Sequence, residues 1–163
     1  MRNVLIHRRS LLPALVAALL LAGPAQAETL NCVQFVQQIS SINLHGDAWQ
    51  WWEAALGYYD RGERPAVGAV MVFSRTLLLP HGHVAVVRSV QDPRTVLVDH
   101  ANWSHVHGRR NGIEQAAAVI DVSPANDWSQ VRVWYDPVGD IGQTVYALRG
   151  FVYPARSRLF ARG

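Results

Sequence analysis

Cys32 is the single cysteine of the sequence, and its surroundings suggest a nucleophile. It follows Asn31, a residue favoured at helix N-caps, and Gln34 completes a variant of the capping box three residues after Asn31. A helix beginning at Asn31 therefore places Cys32 in the first turn, where unpaired amides and the helix dipole favour the attacking thiolate. The amide of Cys32 could also donate to the oxyanion that forms when a carbonyl is attacked.

His83 is the best candidate for the general base that such a thiol requires. It stands at the start of HVAVVRSV, the strongest apolar strand pattern of the chain. The next strand pattern ends in Asp99, His100, Ala101 and Asn102, and polar side chains on a neighbouring antiparallel strand could reach the second imidazole nitrogen. Such a partner fixes the tautomer and orientation of the base. Asn102 can accept that hydrogen bond without a charge, whereas Asp99 would also stabilise the imidazolium.

The elements that position these residues follow from hydrophobic spacing. NCVQFVQQIS has helical spacing from Asn31, and DAWQWWEAALGYY predicts a second helix that begins at Asp47 and is closed by Gly57. From residue 67 onward, VGAVMVF, HVAVVRSV and TVLVD predict consecutive antiparallel strands. We expect an irregular loop over residues 102–115, followed by weaker strands at AVIDV, QVRVWY and VYALRGFVY. Helices followed by strands indicate the α+β class.

The N-terminal residues are typical of a secretory signal peptide. Residues 1–27 combine three arginines and no acidic residue with an apolar run at 11–23 and an Ala-Gln-Ala ending. That run is shorter than the roughly 20 residues needed to cross a bilayer as a helix, so we expect the mature chain to have no integral membrane anchor. The protein is therefore expected to be exported, either to the periplasm or as a secreted protein. The Arg8-Arg9 pair leaves Sec and twin-arginine export both open.

The length of the remaining chain, residues 28–163, predicts one domain, and its charge limits the classes of partner. The net charge of +3 comes from the leader, because without its three arginines the 15 basic residues become 12 and equal the 12 acidic ones. A nucleic-acid binder normally shows a basic face, and we expect no nucleic-acid partner. In an oxidising compartment the lone Cys32 cannot form an internal disulfide. A buried apolar role and an intermolecular disulfide remain the alternatives to a nucleophile.

These residues together resemble the CHAP domains, the cysteine, histidine-dependent amidohydrolases/peptidases related to the papain-like peptidases. The resemblance rests on NCVQFV, HGDAWQWW, PAVGAVMVF, GHVAVV and VDHANW in that order, with GFVYP near the end. It implies a papain-like fold in which N-terminal helices pack on an antiparallel sheet. It also implies that Cys32 is the nucleophile, His83 the base and later the acid, and Asn102 the orienting residue. Family members often carry Glu two residues before this Asn, where this chain has His100, so the further partner is absent or supplied by Asp99.

The reaction implied by the resemblance is acyl transfer from an amide to water through a thioester on Cys32, with no metal or organic cofactor. The expected substrate of an exported member is peptidoglycan, cut between peptide-stem residues or between stem and sugar, and we expect the enzyme to act as a monomer. Four tryptophans could wall a substrate groove, although core packing is the more common role at such spacing: Trp49, Trp51, Trp52 and Trp103.

Three other functions remain open from the sequence. The His81/His83, Asp99/His100 and His105/His107 spacings allow a zinc site, which would not explain a lone cysteine at a helix start, and His45 and His81 are expected at the surface. A cell-wall binding or interaction module with a weakened CHAP site would fit the His100 departure. Transfer of the acyl group to an amine instead of water would use the same residues.

Overall fold

The computed structural model describes residues 30–106, 109–110 and 112–155. The predicted leader, residues 1–27, lies outside the described residues. Helix α1 spans Cys32–Ile39 and helix α2 spans Trp51–Ala54, with short 3-10 turns at Ala48–Gln50 and Asp136–Val138. The first five strands are β1 (Arg61–Gly62), β2 (Val70–Phe73), β3 (His83–Asp92), β4 (Thr95–Ala101) and β5 (His105–Val106). They are followed by β6 (Arg109–Arg110), β7 (Ile113–Asp121), β8 (Gln130–Tyr135), β9 (Asp140–Ile141) and β10 (Tyr146–Val152).

Six antiparallel strands close into a barrel in the order β10, β2, β3, β4, β7 and β8, with β8 paired back to β10. Strand β10 makes the closure because its first residues pair with β8 and its later residues pair with β2. Near the start of the part paired with β2 the register shifts between Leu148 and Gly150, and Gly150 adopts a φ of +138° that L side chains rarely take. A bulge of this kind bends a strand, which lets one strand serve two neighbours.

The predicted α+β class, with N-terminal helices packed on an antiparallel sheet in a papain-like fold, is wrong for this structure. The described chain is mostly sheet, organised as the closed six-stranded barrel, with two short helices. One reason lies in the second predicted helix, which is a 3-10 turn followed by only four α-helical residues, Trp51–Ala54. The other reason is the β8–β10 pairing, a non-local contact that hydrophobic spacing does not reveal.

Two hydrophobic clusters lie on the two faces of strands β2 and β3. Met71, Phe73, Ala85 and Val87 belong to the cluster inside the barrel. The alternate valines of the same two strands belong to a second, outer cluster with Val36 of α1 and with residues 42–55: Val70, Val72, Val84 and Val86. Successive strand residues point to opposite faces, so burial on both faces explains why VMVF is continuously apolar. The outer cluster therefore joins α1 to the strand that carries His83.

Most of the individual elements agree with the sequence predictions. Helix α1 begins directly after Asn31 with the predicted capping box, and β2, β3 and β4 pair as consecutive antiparallel strands. The predicted irregular loop is shorter than expected, because β7 already begins at Ile113 and β5 pairs with β6. Within the described residues no helix is long and apolar enough to cross a membrane.

Candidate active site

Cys32 is the first residue of α1, and the helix start is held by reciprocal hydrogen bonds. The Gln34 amide donates to Asn31 Oδ1 at 2.9 Å, and the Asn31 amide donates to Gln34 Oε1 at 3.1 Å. The thiol is partly buried against the outer cluster. Hydrogen bonds from the backbone of Val84, Val33 and Cys32 itself act on the sulfur. Because Val84 directly follows His83, the Cys32 thiol lies beside the start of β3.

The thiol of Cys32 is not activated as the helix position alone predicts. Burial raises the pKa of Cys32 above 9.0, and the backbone hydrogen bonds together with the charge of Arg110 offset only part of that effect. A neutral thiol is therefore the resting form near pH 7. The helix start stabilises a thiolate once a base removes the proton, but it does not ionise the thiol in advance.

His83 begins β3 and points into the barrel end. Its side chain packs among aromatic rings, with ring centroids 5.5 Å from Phe73 and 4.7 Å from Trp103, and only 2% of the residue is exposed. Burial lowers the pKa of His83 well below its ordinary value of 6.5, and positive charge on Arg110, or on His100 when it is protonated, acts in the same direction. The imidazole is therefore neutral near pH 7, which is the form that can accept a proton.

Gly82 sets the turn that leads into His83. It adopts a φ of +67°, and a Cβ at this position would lie 2.7 Å from the Trp49 amide nitrogen and 3.0 Å from the Phe73 carbonyl oxygen. The same turn is tied to the 3-10 segment, because the Trp49 amide donates to the His81 carbonyl at 3.2 Å. Any larger residue must push the turn away from Trp49, and His83 is the next residue along the chain.

We expect Gly82→Ala to lower the free energy of unfolding by about 3 kcal/mol, through positive-φ strain and overpacking together, and to reduce turnover. Gly139→Ala is the matched control, since Gly139 has a φ of +62° but nothing within 4 Å of the added Cβ. That variant should lose only about 1 kcal/mol from backbone strain. Urea unfolding of both variants measures the difference, and equal losses would show that the contact with Trp49 has no energetic consequence.

A chain of polar side chains extends from His83 through His100 to Glu114. His83 Nε2 lies 3.0 Å from His100 Nδ1, a hydrogen bond between two buried rings. His100 Nε2 has no hydrogen-bond partner and lies 3.7 Å from Glu114 Oε2. Glu114 in turn accepts hydrogen bonds from the Ser104 amide at 2.8 Å and from the Ser104 hydroxyl at 3.0 Å. The sequence did not single out Glu114, which lies in the segment expected to be an irregular loop.

The charge of Glu114 determines which nitrogen of His100 carries the proton. Partial burial raises the pKa of Glu114, but His100 and Ser104 outweigh that effect and leave the pKa below 4.5. The carboxylate is therefore ionised and favours the His100 tautomer with hydrogen on Nε2. Nδ1 of His100 then accepts, so His83 donates through Nε2 and keeps its lone pair on Nδ1. This arrangement leaves His83 Nδ1 as the basic nitrogen.

Strand geometry distinguishes the two partner candidates on β4, Asp99 and His100. His100 shares the interior face with Val96 and Val98 and stands opposite Glu114 in the β4–β7 register. Asp99 has the opposite orientation: it forms an ion pair with Arg88 at 2.9 Å and accepts from the Ala116 amide at 2.8 Å. The structure therefore brings His100 to His83 and leaves Asp99 on the other face of the strand.

Asn102 follows β4 in a left-handed conformation, with a φ of +62°. Its amide donates to the Gly112 carbonyl at 2.9 Å, and the residue lines the same cavity as Cys32 and His83. No hydrogen bond joins the Asn102 side chain to His83, whose Nε2 is engaged by His100. The position that the resemblance implies for the orienting group is thus occupied by His100.

We expect Glu114→Gln to lower kcat by about tenfold, an effect of about 1.4 kcal/mol on the barrier, because His100 loses the charge that selects its tautomer. Asp99→Asn is the comparison variant and should retain kcat, since Asp99 does not touch the histidine pair. The pH profile provides a second measurement, because a purely structural role of Glu114 would leave its acid limb unmoved. A kcat lowered by Asp99→Asn but not by Glu114→Gln would exclude this tautomer assignment.

Cys32 and His83 line one cavity of about 590 Å³ between the start of α1, the turn before β3 and the segment around Asn102. Arg110 also lines it. None of the four tryptophans considered as groove walls does so. Trp51 is a fully buried member of the outer cluster, and Trp103 lies in the barrel core. Trp52 stacks with Arg61 at 4.7 Å, and Trp49 faces Arg75 at 5.7 Å.

Among the histidines considered for zinc, His83 and His100 form the buried hydrogen-bonded pair described above. His45 and His81 are exposed, as predicted, and His81 pairs with Asp47 at 3.2 Å. His107 lies outside the described residues. Across residues 30–106, 109–110 and 112–155, no group of three or more His, Cys, Asp or Glu side chains is arranged to hold a metal ion.

Comparison with known proteins gives one family match. The CHAP domain model matches residues 23–102, a segment that contains Cys32, His83, His100 and Asn102. Glu114 and Arg110 lie beyond the matched segment. No curated protein matches the chain.

Proposed function

Because this chain belongs to the CHAP domain family, we propose that it is an exported cysteine amidohydrolase/peptidase that cleaves amide bonds in peptidoglycan. CHAP domains generally hydrolyse amide bonds and occur in cell-wall hydrolases. The observation that carries the proposal is the shared cavity of Cys32 and His83, in which the second nitrogen of the imidazole is engaged by buried His100. A nucleophile, a base and a group orienting that base are the minimum for covalent acyl transfer.

The charge states of the two residues suggest how the first step proceeds. Near pH 7 the Cys32 thiol is protonated and His83 is neutral. His83 Nδ1 takes the thiol proton as the sulfur attacks the amide carbonyl, and His100 accepts the hydrogen bond from His83 Nε2 throughout. The carbonyl π electrons move to oxygen, where amides of the first helical turn can donate to the oxyanion.

The remaining steps return the proton and the enzyme to their starting states. His83 gives its proton to the departing amine as the carbon–nitrogen bond breaks, which leaves a thioester on Cys32. Water then attacks the thioester while His83 accepts a water proton, and the second collapse releases the carboxylic acid and the Cys32 thiol. No metal or organic cofactor enters this sequence. An amine in place of water would give transpeptidation with the same residues.

A second candidate function is a cell-wall binding module with a weakened site. It is favoured by two features: the raised pKa of Cys32, and the presence of His100 where family members often carry Glu. The buried His83–His100–Glu114 chain argues for the hydrolase, because Glu114 supplies from β7 the carboxylate that β4 lacks at this position. A binding module would have no use for an ionised group beneath a buried histidine pair.

The proposal is tested by incubating purified peptidoglycan sacculi with residues 28–163 and identifying the released fragments by mass spectrometry. A new free carboxyl and a new free amine at one bond support hydrolysis and name the bond. Addition of a small amine distinguishes transfer from hydrolysis, since transfer leaves the amine attached to the acyl fragment. Sacculi that bind the protein but release no fragments would support the binding module instead.

A further inference from the structure

Arg110 lies between the cavity of Cys32 and a second cavity of similar size. The second cavity has a volume of about 580 Å³, and within the described part of the chain Arg110 is the residue that lines both. Three aromatic side chains also line the second cavity: Trp103, Tyr135 and Tyr146. The Trp103 ring lies 4.7 Å from the His83 ring and 4.9 Å from the Tyr146 ring. Trp103 therefore connects the second cavity, which it lines, to the surroundings of the His83 ring.

The guanidinium of Arg110 has donors available for a ligand. It donates from Nε to His105 Nε2 at 3.3 Å, across the short β5–β6 pair. Among the residues that the structure describes, no carboxylate lies within ion-pair distance of Arg110. Four other arginines do have such partners within 4.0 Å: Arg61, Arg88, Arg94 and Arg149. Arg110 is thus an exposed cation that lines both cavities.

The charge of Arg110 reaches both catalytic residues. It acts to lower the pKa of the Cys32 thiol and contributes to the lowered pKa of His83. Arg110 also lines the cavity of Cys32 and His83, so a group bound to it in that cavity would lie beside an amide positioned at Cys32. The fork of a guanidinium matches the two oxygens of a carboxylate. Asp140 lines the second cavity as well, and one added negative charge is better tolerated beside it than the two of a phosphate dianion.

We propose that Arg110 binds a substrate carboxylate next to the scissile amide, and that the second cavity receives the peptide segment carrying this carboxylate. The inference rests on the proposed hydrolase and narrows its substrates to stem peptides with a free carboxylate beside the cleaved bond. Arg110 is then a specificity-determining residue. The aromatic rings of the second cavity supply apolar contact for the peptide, while Arg110 fixes its register against Cys32.

The proposal is tested by alkylating Cys32, the single thiol of the chain, with iodoacetate and with iodoacetamide at alkaline pH. The two reagents differ in carrying a carboxylate or a neutral carboxamide. The iodoacetate-to-iodoacetamide rate ratio in the folded protein, divided by the ratio in the urea-unfolded chain, should exceed one. It should fall by about tenfold in Arg110→Gln, the order expected for loss of one charge-assisted hydrogen bond.

Arg109→Gln is the matched control, since Arg109 is the adjacent exposed residue of β6 but lines neither cavity. It removes the same charge and should keep the wild-type ratio. Equal ratios in wild type and Arg110→Gln, an equal fall in both variants, or a Cys32 that iodoacetate does not reach would each overturn the proposal. The measurement requires no turnover, so a carboxylate preference in a protein that fails to cleave sacculi would refute the hydrolase while retaining the anion site.

Discussion

Replacing Cys32 with alanine is expected to reduce fragment release from sacculi by about 10⁴-fold or more, the order found when a covalent nucleophile is removed. The proposed mechanism offers no second nucleophile, because Cys32 is the single cysteine of the sequence. The variant should still bind sacculi, since the cavity walls are unchanged. Release rates and sedimentation with sacculi measure the two properties separately.

Cys32→Ala is also expected to fold. The thiol is partly buried at the edge of the outer cluster, and a methyl group satisfies the same apolar contacts apart from a small cavity. Cys32→Ser is a useful companion, because it keeps a side chain that can give a proton to His83 but replaces the sulfur with oxygen, a poorer nucleophile. Turnover by Cys32→Ala at the wild-type rate, with an unchanged thermal transition, would rule out the thioester mechanism.

His83→Ala should lower turnover by about 10³-fold, within the range that general acid–base groups contribute. The lost imidazole serves twice in the proposed mechanism, as base in the first step and as acid toward the leaving amine. His83→Gln separates this chemical role from packing, since it preserves much of the volume and a donor toward His100. His45→Ala is the control for removing a histidine, because His45 is exposed and does not line the Cys32 cavity.

The pH dependence of kcat/KM in the wild-type protein provides a second test of the proposed role of His83 as the base. Protonated His83 cannot accept the thiol proton, so kcat/KM falls when pH drops through the pKa of His83. Because burial and nearby charges lower that pKa well below 6.5, activity should persist through pH 6.5 and fall only at lower pH. An acid limb centred above 6.5, or His83→Gln at wild-type rate, would be incompatible with a neutral buried base.

Local signals in the sequence predicted the start of α1, which carries Cys32, and the start of β3, which carries His83. Asn31 and Gln34 predicted the helix start, and the apolar run beginning at His83 predicted β3. Both signals are local, because capping and strand patterns depend on residues near one another in the sequence. The outward direction of Asp99 and the inward direction of His100 were also present in the alternation of TVLVDHA. The alternation thus favours His100 as the inward partner, whereas the resemblance implies Asn102 as the orienting group.

Other features depended on contacts that spacing does not encode. Barrel closure requires β8 and β10 to pair and Gly150 to adopt an unusual φ. The pattern of each strand taken separately does not reveal this pairing, and it therefore predicted an open sheet packed against helices. The contact of Glu114 with the histidine pair depends on the β4–β7 register, which places Glu114 opposite His100. The raised pKa of Cys32 reflects burial, and the depth of a first-turn residue cannot be read from its position in a helix.

The placement of His83 on β3 has a further consequence for the fidelity of folding. A slip of one residue along β3 would turn His83 toward α1 and send Val84 into the barrel, exchanging the base for an inert side chain. In an open sheet, an edge strand can slip alone. In a closed barrel every strand has two neighbours, so a shift of one strand would have to be accommodated by all the others, and misaligned molecules should not persist as stable, inactive copies.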